Sequence, residues 1–451
     1  MSRAEMRAAF SLSGVYALRM LGLFMILPVF ALYAGDLEGV TPALTGLAIG
    51  AYGITQALLQ IPAGLLSDRI GRKPVIIGGL LVFAFGSVVA AQAESIYLVI
   101  LGRALQGAGA IAAAIMALVA DLTREEHRIK AMALIGMSIG LSFALALILG
   151  PVLDRWVGVP GIFWITAILA LAGILVVAFV VPRPPQARMH REAEAVPAQF
   201  GRVLRNPELL RLDIGILVLH MVLTASFVVL PLVLRDKAGL DAARHWQVYL
   251  PVLVGSVLAM VPFIILAERK GRVKPVFMGA IAVLIVAETG LFLVSLTLTH
   301  VILLLFVFFA AFNLLEAMLP SLISRVAPAD CRGTAMGVYS SSQFMGAFLG
   351  GAVGGLVQGR FGVQAVFLFA ALALLVWLAM ALSMRVPRKL GSYIHKLGAV
   401  EPAEADRIHR ELAAQAGVVE AVVVPEEGVA YLKVDRQVFD AATLSGKRGQ
   451  P

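Results

Sequence analysis

The sequence predicts an all-α polytopic membrane protein: twelve transmembrane helices in two pseudo-symmetric six-helix bundles, then a small cytoplasmic α+β domain of ferredoxin-like order. Three observations predict it. Of 451 residues, 60% are apolar and only 14% are charged, against roughly 25% charged in soluble domains. The apolar residues come in blocks of about 20, the length a helix needs to cross a hydrocarbon core of about 30 Å. The chain also echoes itself at an offset near 200 residues.

Spans are expected at 11–34, 45–66, 75–93, 96–120, 131–153 and 161–181, and again at 211–234, 246–267, 276–296, 300–323, 334–357 and 362–384. The loops after the even-numbered spans hold 17 Lys and Arg, and those after the odd-numbered spans hold 5. Basic loops stay cytoplasmic, so both termini are expected on that side. No small-residue cleavage site follows the first apolar block, so it reads as a span and not as a signal peptide.

The repeat divides the chain into bundles at 1–182 and 211–386. Ser67-Asp68-Arg69-Ile70-Gly71-Arg72-Lys73-Pro74-Val75 is echoed by Ala267-Glu268-Arg269-Lys270-Gly271-Arg272-Val273-Lys274-Pro275-Val276, with one residue inserted. Arg128-Ile129-Lys130-Ala131-Met132 is echoed by Arg332-Gly333-Thr334-Ala335-Met336. Each pair occupies the same place in its half. Repeated halves of this kind rock about a central site. Residues 183–210 form a basic linker, in which Phe200, Val203 and Leu204 suit a short amphipathic turn.

After Pro387 the composition turns soluble, and 392–444 reads as a βαββα unit. Pro402 starts a helix, Ile408, Leu412 and Ala416 give it one apolar face, and Gly417 stops it. Val418–Val424 and Val429–Val434 are strands joined by the turn Pro425-Glu426-Glu427-Gly428. Tyr393–Leu397 is a first strand and 437–444 a last helix. About 50 residues make a marginal core, so the tail is expected to dock on the bundle or pair with another copy.

One cysteine, Cys331, excludes an intramolecular disulfide or a thiolate metal cage. No phosphate-cradling loop, His-Glu-x-x-His or Ser/His/Asp arrangement occurs, which speaks against an enzyme, a cofactor or a metal centre. The net charge of +9 resides largely in short loops between spans, where it suits anionic lipid and not nucleic acid.

Gly64-Leu65-Leu66-Ser67-Asp68-Arg69-Ile70-Gly71-Arg72-Lys73 fits Gly-x-x-x-Asp-Arg-x-Gly-Arg-Lys in full. It resembles the signature loop of the major facilitator superfamily and lies where that family has it, between spans 2 and 3. Gly102-Arg103-Ala104-Leu105-Gln106-Gly107-Ala108-Gly109 resembles a second family motif, found in proton-coupled members. Gly150-Pro151 resembles the motif of the drug–proton antiporter branch, although Leu153 and Asp154 stand where glycines are expected. The tail resembles a heavy-metal-associated domain without its Cys-x-x-Cys, so tight binding of a soft metal is not expected. The resemblance implies a bacterial inner-membrane transporter working by alternating access. It also implies a conformational latch made by Gly64, Asp68, Arg69, Gly71, Arg72 and Lys73 with Asp121, in which Asp68 meets the N-terminus of span 11. Glu268, Arg269, Gly271 and Arg272 would form a weaker second latch, because Ile264 replaces its first glycine.

Ionisable groups within spans normally face a partner or a wet cavity. Arg19, the pairs Gln56/Gln60 and Arg103/Gln106, Asp213 with His220, and Asn313 with Glu316 each share a helix face and are expected to line a central cavity. Glu316 is the expected proton carrier, with His220 and Asp213 as alternates. Glu288 is expected to be a packing partner. Met20, Phe24, Met25, Phe30, Phe227, Phe309, Phe312 and Phe344 suit either an adaptable apolar lining or plain packing. Three functions fit: a proton-coupled exporter of small amphipathic molecules, a facilitator or importer of a polar solute, and a ligand sensor signalling through the tail. The expected partners are lipid, a small-molecule substrate and protons.

Overall fold

In the computed structural model, residues 1–182, 196–295, 297–328, 330–385, 391–398, 401–425, 428–435 and 438–439 are described. The first half contains α1 (Arg3–Phe24), α2 (Phe30–Tyr33), α3 (Pro42–Ile70), α4 (Arg72–Ala91), α5 (Ile96–Ala108), α6 (Ala112–Leu122) and α7 (Glu125–Leu175). The short α8 (Phe200–Leu204) leads into the second half. There lie α9 (Pro207–Leu232), α10 (Trp246–Arg269), α11 (Val273–Leu293), α12 (Leu298–Val326), α13 (Arg332–Phe361) and α14 (Val363–Leu382).

The helix starts follow from capping chemistry. Ser2, Thr41, Ser95, Asn206 and Thr297 each accept a hydrogen bond from a first-turn amide, and Pro42 and Pro207 stand at the first helical position. Four expected spans differ from the sequence reading. The first is interrupted over residues 25–29, because Pro28 has no N–H for the helix ladder. The fourth breaks at Gly109–Ile111 into α5 and α6. The fifth and sixth run together as α7, with a sharp bend at Gly158, where φ is +67° and only glycine is at ease. Among the described residues, nine helices are long and apolar enough to cross a membrane. The polar residues of α1 and the glycines of α13 keep those two helices out of that count.

The tail contains β1 (Gly391–Lys396), α15 (Pro402–Ala413), β2 (Val418–Val424) and β3 (Val429–Val434). The strands form an antiparallel sheet in the order β1-β3-β2. Ile408 and Leu412 of α15 pack on Ala421, Ala430, Leu432 and Val434. The expected last helix, 437–444, falls largely outside the described residues.

The tail, the N-terminus and the 68–72 turn share one end of the bundle, called here the near end. The halves meet at the far end. A methyl group at Gly46 would lie 2.1 Å from the Gly351 carbonyl oxygen, and one at Gly53 would lie 2.5 Å from that of Phe344. Helix backbones this close gain dispersion contacts that any larger side chain would abolish. Toward the near end, Gly64 of α3 faces Ala113 of its own half instead.

At the near end a carboxylate ties α1 to the start of α7. Glu5 accepts from the Arg124 backbone N–H and Nε, both at 3.0 Å, and lies 3.5 Å from His127 Nδ1. The Arg124 guanidinium and the backbone N–H groups hold the Glu5 carboxyl far below the usual carboxylate range.

Two predictions follow from these contacts. Gly351→Val overpacks the far end at a cost of about 1–3 kcal/mol. A lower melting temperature and lost transport are expected, and an unchanged melting temperature would exclude the contact. Glu5→Gln lowers the melting temperature at neutral pH. Because folding depresses the Glu5 pKa, its contribution is present above the ordinary carboxylate value of about 4.3 and fades as pH falls toward the folded value. The gap between wild type and Glu5→Gln therefore closes in acid, and melting curves across pH test it.

Candidate functional site

Three polar clusters stand out, one outside the spans and two within them. The first is the turn between α3 and α4. Gly71 takes φ +97°, which lets the chain reverse so that Arg72 opens α4 with its side chain turned inward. Arg72 is 3% exposed. Its Nη1 donates to Ser67 Oγ at 2.8 Å and to Asp68 Oδ1, and its Nε donates to Asp121 Oδ2 at 3.3 Å. Ser67 Oγ in turn donates to the Gly64 carbonyl at 2.6 Å. One guanidinium thus joins the end of α3, the start of α4 and the end of α6. The planar fork suits two carboxylates at once, whereas an ammonium is a point charge. Lys73 caps the other side, its Nζ donating to the Val181 carbonyl at 2.5 Å.

Asp68, Arg72 and Asp121 therefore come together as the motif implies. Arg69 does not join them: it is exposed, with no hydrogen bond or ion pair among the described residues. Asp68 bonds to Arg72 of its own half, and its expected contact with the start of α13 is not formed. In the second half Glu268 pairs with Arg325 at 2.6 Å, while Arg269, Gly271 and Arg272 are exposed. Arg325 ends α12 where Asp121 ends α6, and Glu268 ends α10 where Asp68 ends α3, so the second half ties α10 directly to α12. The chain-order echo does not reveal this, because the partner lies about 57 residues away, beyond the repeated motif.

The second cluster joins α9, α12 and α13. Gln343 Nε2 donates one hydrogen to His220 Nε2 at 2.8 Å and the other to Glu316 Oε1 at 3.2 Å. His220 Nε2 is 3.9 Å from Glu316 Oε2, and the imidazole lies against the Phe312 ring. The Glu316 side chain is 36% exposed although it sits mid-helix, with its Oε2 buried and without a hydrogen-bond partner among the described residues. Asn313, one turn earlier, donates to Ser256 Oγ on α10 at 3.0 Å. Asp213, two turns below His220, is buried with Oδ1 unpartnered and does not join the bridge. Sequence reasoning missed Gln343. A lone amide after Ser340-Ser341-Ser342 in an apolar span was the available signal, the same one that singled out Gln56.

The third cluster lies within the first half. Arg19 Nη2 donates to Gln56 Oε1 at 2.6 Å, and Gln56 Nε2 to Gln60 Oε1 at 3.1 Å. Arg103 Nη1 donates to Gln106 Oε1 at 2.7 Å, and Gln106 Nε2 to Ser87 Oγ at 2.8 Å. Arg103 also donates to the Ala48 and Ile49 carbonyls and lies over the Tyr52 ring at 4.6 Å. These residues are buried, and Gln56, Gln60, Arg103 and Gln106 find partners across α1, α3, α4 and α5, whereas Arg19 Nε and Nη1 have none among the described residues. In this structure all five are buried between helices and not exposed on a cavity wall, contrary to the expectation for Arg19, Gln56, Gln60, Arg103 and Gln106. Helical spacing places each pair on one face, but the close approach of Gly86 to Gly102 decides that this face turns inward. Glu288 likewise accepts from Ser226 Oγ at 2.9 Å and joins α11 to α9. Of the apolar candidates, Met20, Met25, Phe30, Phe227, Phe309, Phe312 and Phe344 are buried packing residues.

The geometry can be set beside known proteins. Residues 12–312 and 245–403 match the model of the Major Facilitator Superfamily. The chain is 48% identical over 441 residues to the inner membrane transport protein YajR of Escherichia coli K12, covering 97% of this chain and 96% of that one. It is 26% identical over 343 residues to the multidrug resistance protein MdtH of Aeromonas salmonicida, covering 75% of this chain and 84% of that one. A bacterial homolog of the human lysosomal transporter Spinster, solved inward-facing and occupied, superposes with a TM-score of 0.71 at 15% identity, over 85% of this chain and 97% of that one. Helical architecture, signature turn and family match agree: this chain belongs to the Major Facilitator Superfamily and is a membrane transporter, not an enzyme.

Proposed function

We propose that this transporter is a proton-coupled exporter of small amphipathic molecules in a bacterial inner membrane, working by alternating access. The bridge from His220 through Gln343 to Glu316 carries the reading. It holds a partly exposed carboxylate beside an imidazole on three helices of one half. Such a pair can exchange a proton with a water path and report its charge to α13 through one amide. The similarity to a relative named for multidrug resistance supports export, and the similarity to an inner membrane transport protein supports the location.

The span count in this reading is twelve. Gly158 divides α7 into two spans, and α1 and α13 cross despite their polar and glycine content. The Lys and Arg distribution puts the near end in the cytoplasm. The halves, joined at the far end, are then open toward the cytoplasm. In this state Asp68 is held by Arg72, within its own half. In the opposite state the near ends close, and Asp68 meets the positive end of the α13 dipole. The turn thus acts as a latch that engages once per cycle, with Arg72 and Asp121 holding it in shape.

Import of a polar solute and ligand sensing are the competing readings. Reconstituted protein in liposomes separates them: uptake driven by an imposed pH gradient supports the exporter, gradient-independent flux the facilitator, and ligand binding without flux the sensor.

Two substitutions test the parts. Arg72→Asp and Asp121→Arg should each cut transport at least about tenfold, the effect of about 1.4 kcal/mol, with normal membrane insertion. The double variant should recover part of it by restoring the pair; additive damage would rule out the contact as the working one. Glu316→Gln should keep substrate binding and lose uphill movement, since an amide keeps the shape and cannot cycle a proton. Uphill transport with an unchanged pH profile would move the proton site elsewhere.

A further inference from the structure

The last turn of α12 ends at Val326, and Pro328 follows two residues later. The terminal carbonyls of a helix lack intrahelical donors, and proline supplies none. Here the donor comes from the tail. Lys433 Nζ lies 3.3 Å from the Arg325 carbonyl oxygen and 3.4 Å from that of Val326. A cation at a helix C-terminus also meets the negative end of the dipole. Lys433 is 7% exposed, and Glu420, its register partner on β2, balances its charge at 3.3 Å. A lysine of the tail is therefore buried as the cap of a helix in the second bundle.

The same turn is held from its other side by the linker. Arg202 of α8 grips Asp330 with Nη1 at 2.8 Å and Nη2 at 3.1 Å. Gln199 Nε2 donates to the Asp330 carbonyl at 3.0 Å, and its Oε1 accepts from Thr334 Oγ1 at 2.9 Å. The Val196 N–H donates to Thr334 Oγ1 at 2.9 Å. The connection between α12 and α13 is thus fixed by two separate pieces of chain, both outside the six-helix halves.

We propose that the β2–β3 face of the tail is a docking surface for the turn between α12 and α13, anchored by Lys433, and that the docked tail and the linker together restrain that turn. The occupant is the chain's own α12–α13 turn, which Lys433 already meets. The surface fits a helix C-terminus, because it offers a buried ammonium that a carboxylate on the neighbouring strand keeps neutral overall. The start of α13 is the element that Asp68 would meet in the opposite state, so its freedom bears on the proposed cycle. The docking itself does not rest on that reading.

Hydrogen exchange on the full chain in lipid nanodiscs tests it, without any substrate. Lys433→Gln should raise amide exchange in residues 326–335 about tenfold, as loss of a charge-assisted restraint allows, while the β1–β3 ladder stays protected. Lys433→Arg, which can still donate, should restore protection. Glu420→Lys, which repels Lys433 from a half-exposed position, should loosen the turn as Lys433→Gln does. An unchanged turn in Lys433→Gln and Glu420→Lys overturns the proposal. So does exchange that rises only in a variant whose strand ladder has melted, since the tail would then act through folding and not through docking.

Discussion

Backbone contact between α3 and α13 at the far end is the constraint on which the rest depends. Gly46, Gly50 and Gly53 on one helix face Gly351, Phe348 and Phe344 on the other at distances that leave no room for a side chain. Apolar surface gains little by leaving lipid for another apolar surface, so association in a bilayer relies on close packing and hydrogen bonds. Glycine stripes supply the first. They leave few polar groups at these contacts.

Polar chemistry is placed away from that seam and is divided unequally between the halves. The first half buries two guanidiniums, Arg19 and Arg103, within hydrogen-bond networks of amides, a hydroxyl and carbonyls. No carboxylate forms an ion pair with either among the described residues. The second half carries Glu316 and Asp213 with His220 and Gln343. A buried charge without such partners costs several kcal/mol, and Arg103 has them, whereas Arg19 keeps Nε and Nη1 unpartnered among the described residues. Glu316 is the more exposed ionisable group, at 36% of its side chain.

The near end holds the mechanical parts. Arg72 ties α3, α4 and α6; Glu5 ties α1 to α7; Glu268 and Arg325 tie α10 to α12. Each tie stays within one half. The linker and the tail are different: Arg202 and Lys433 reach the α12–α13 turn from outside the bundles.

Composition, span length and the internal repeat determined the class of protein and its two halves, because a bilayer demands about 20 apolar residues per helix and closes every backbone group internally. The signature turn was legible down to Asp68, Arg72 and Asp121, since its glycines and charges stand at fixed short spacing. Which polar face turns inward was not legible. Arg103 and Gln106 looked like a cavity lining, and only the packing of Gly86 on Gly102 buries them in their own half. Gln343 went unnoticed because its meaning depends on α9 and α12 arriving on either side of it. Nothing in its own strand sets Lys433 apart, because its role depends on α12 ending against it. Local spacing decides what a helix can present, and contacts between residues a hundred or more positions apart decide what it meets.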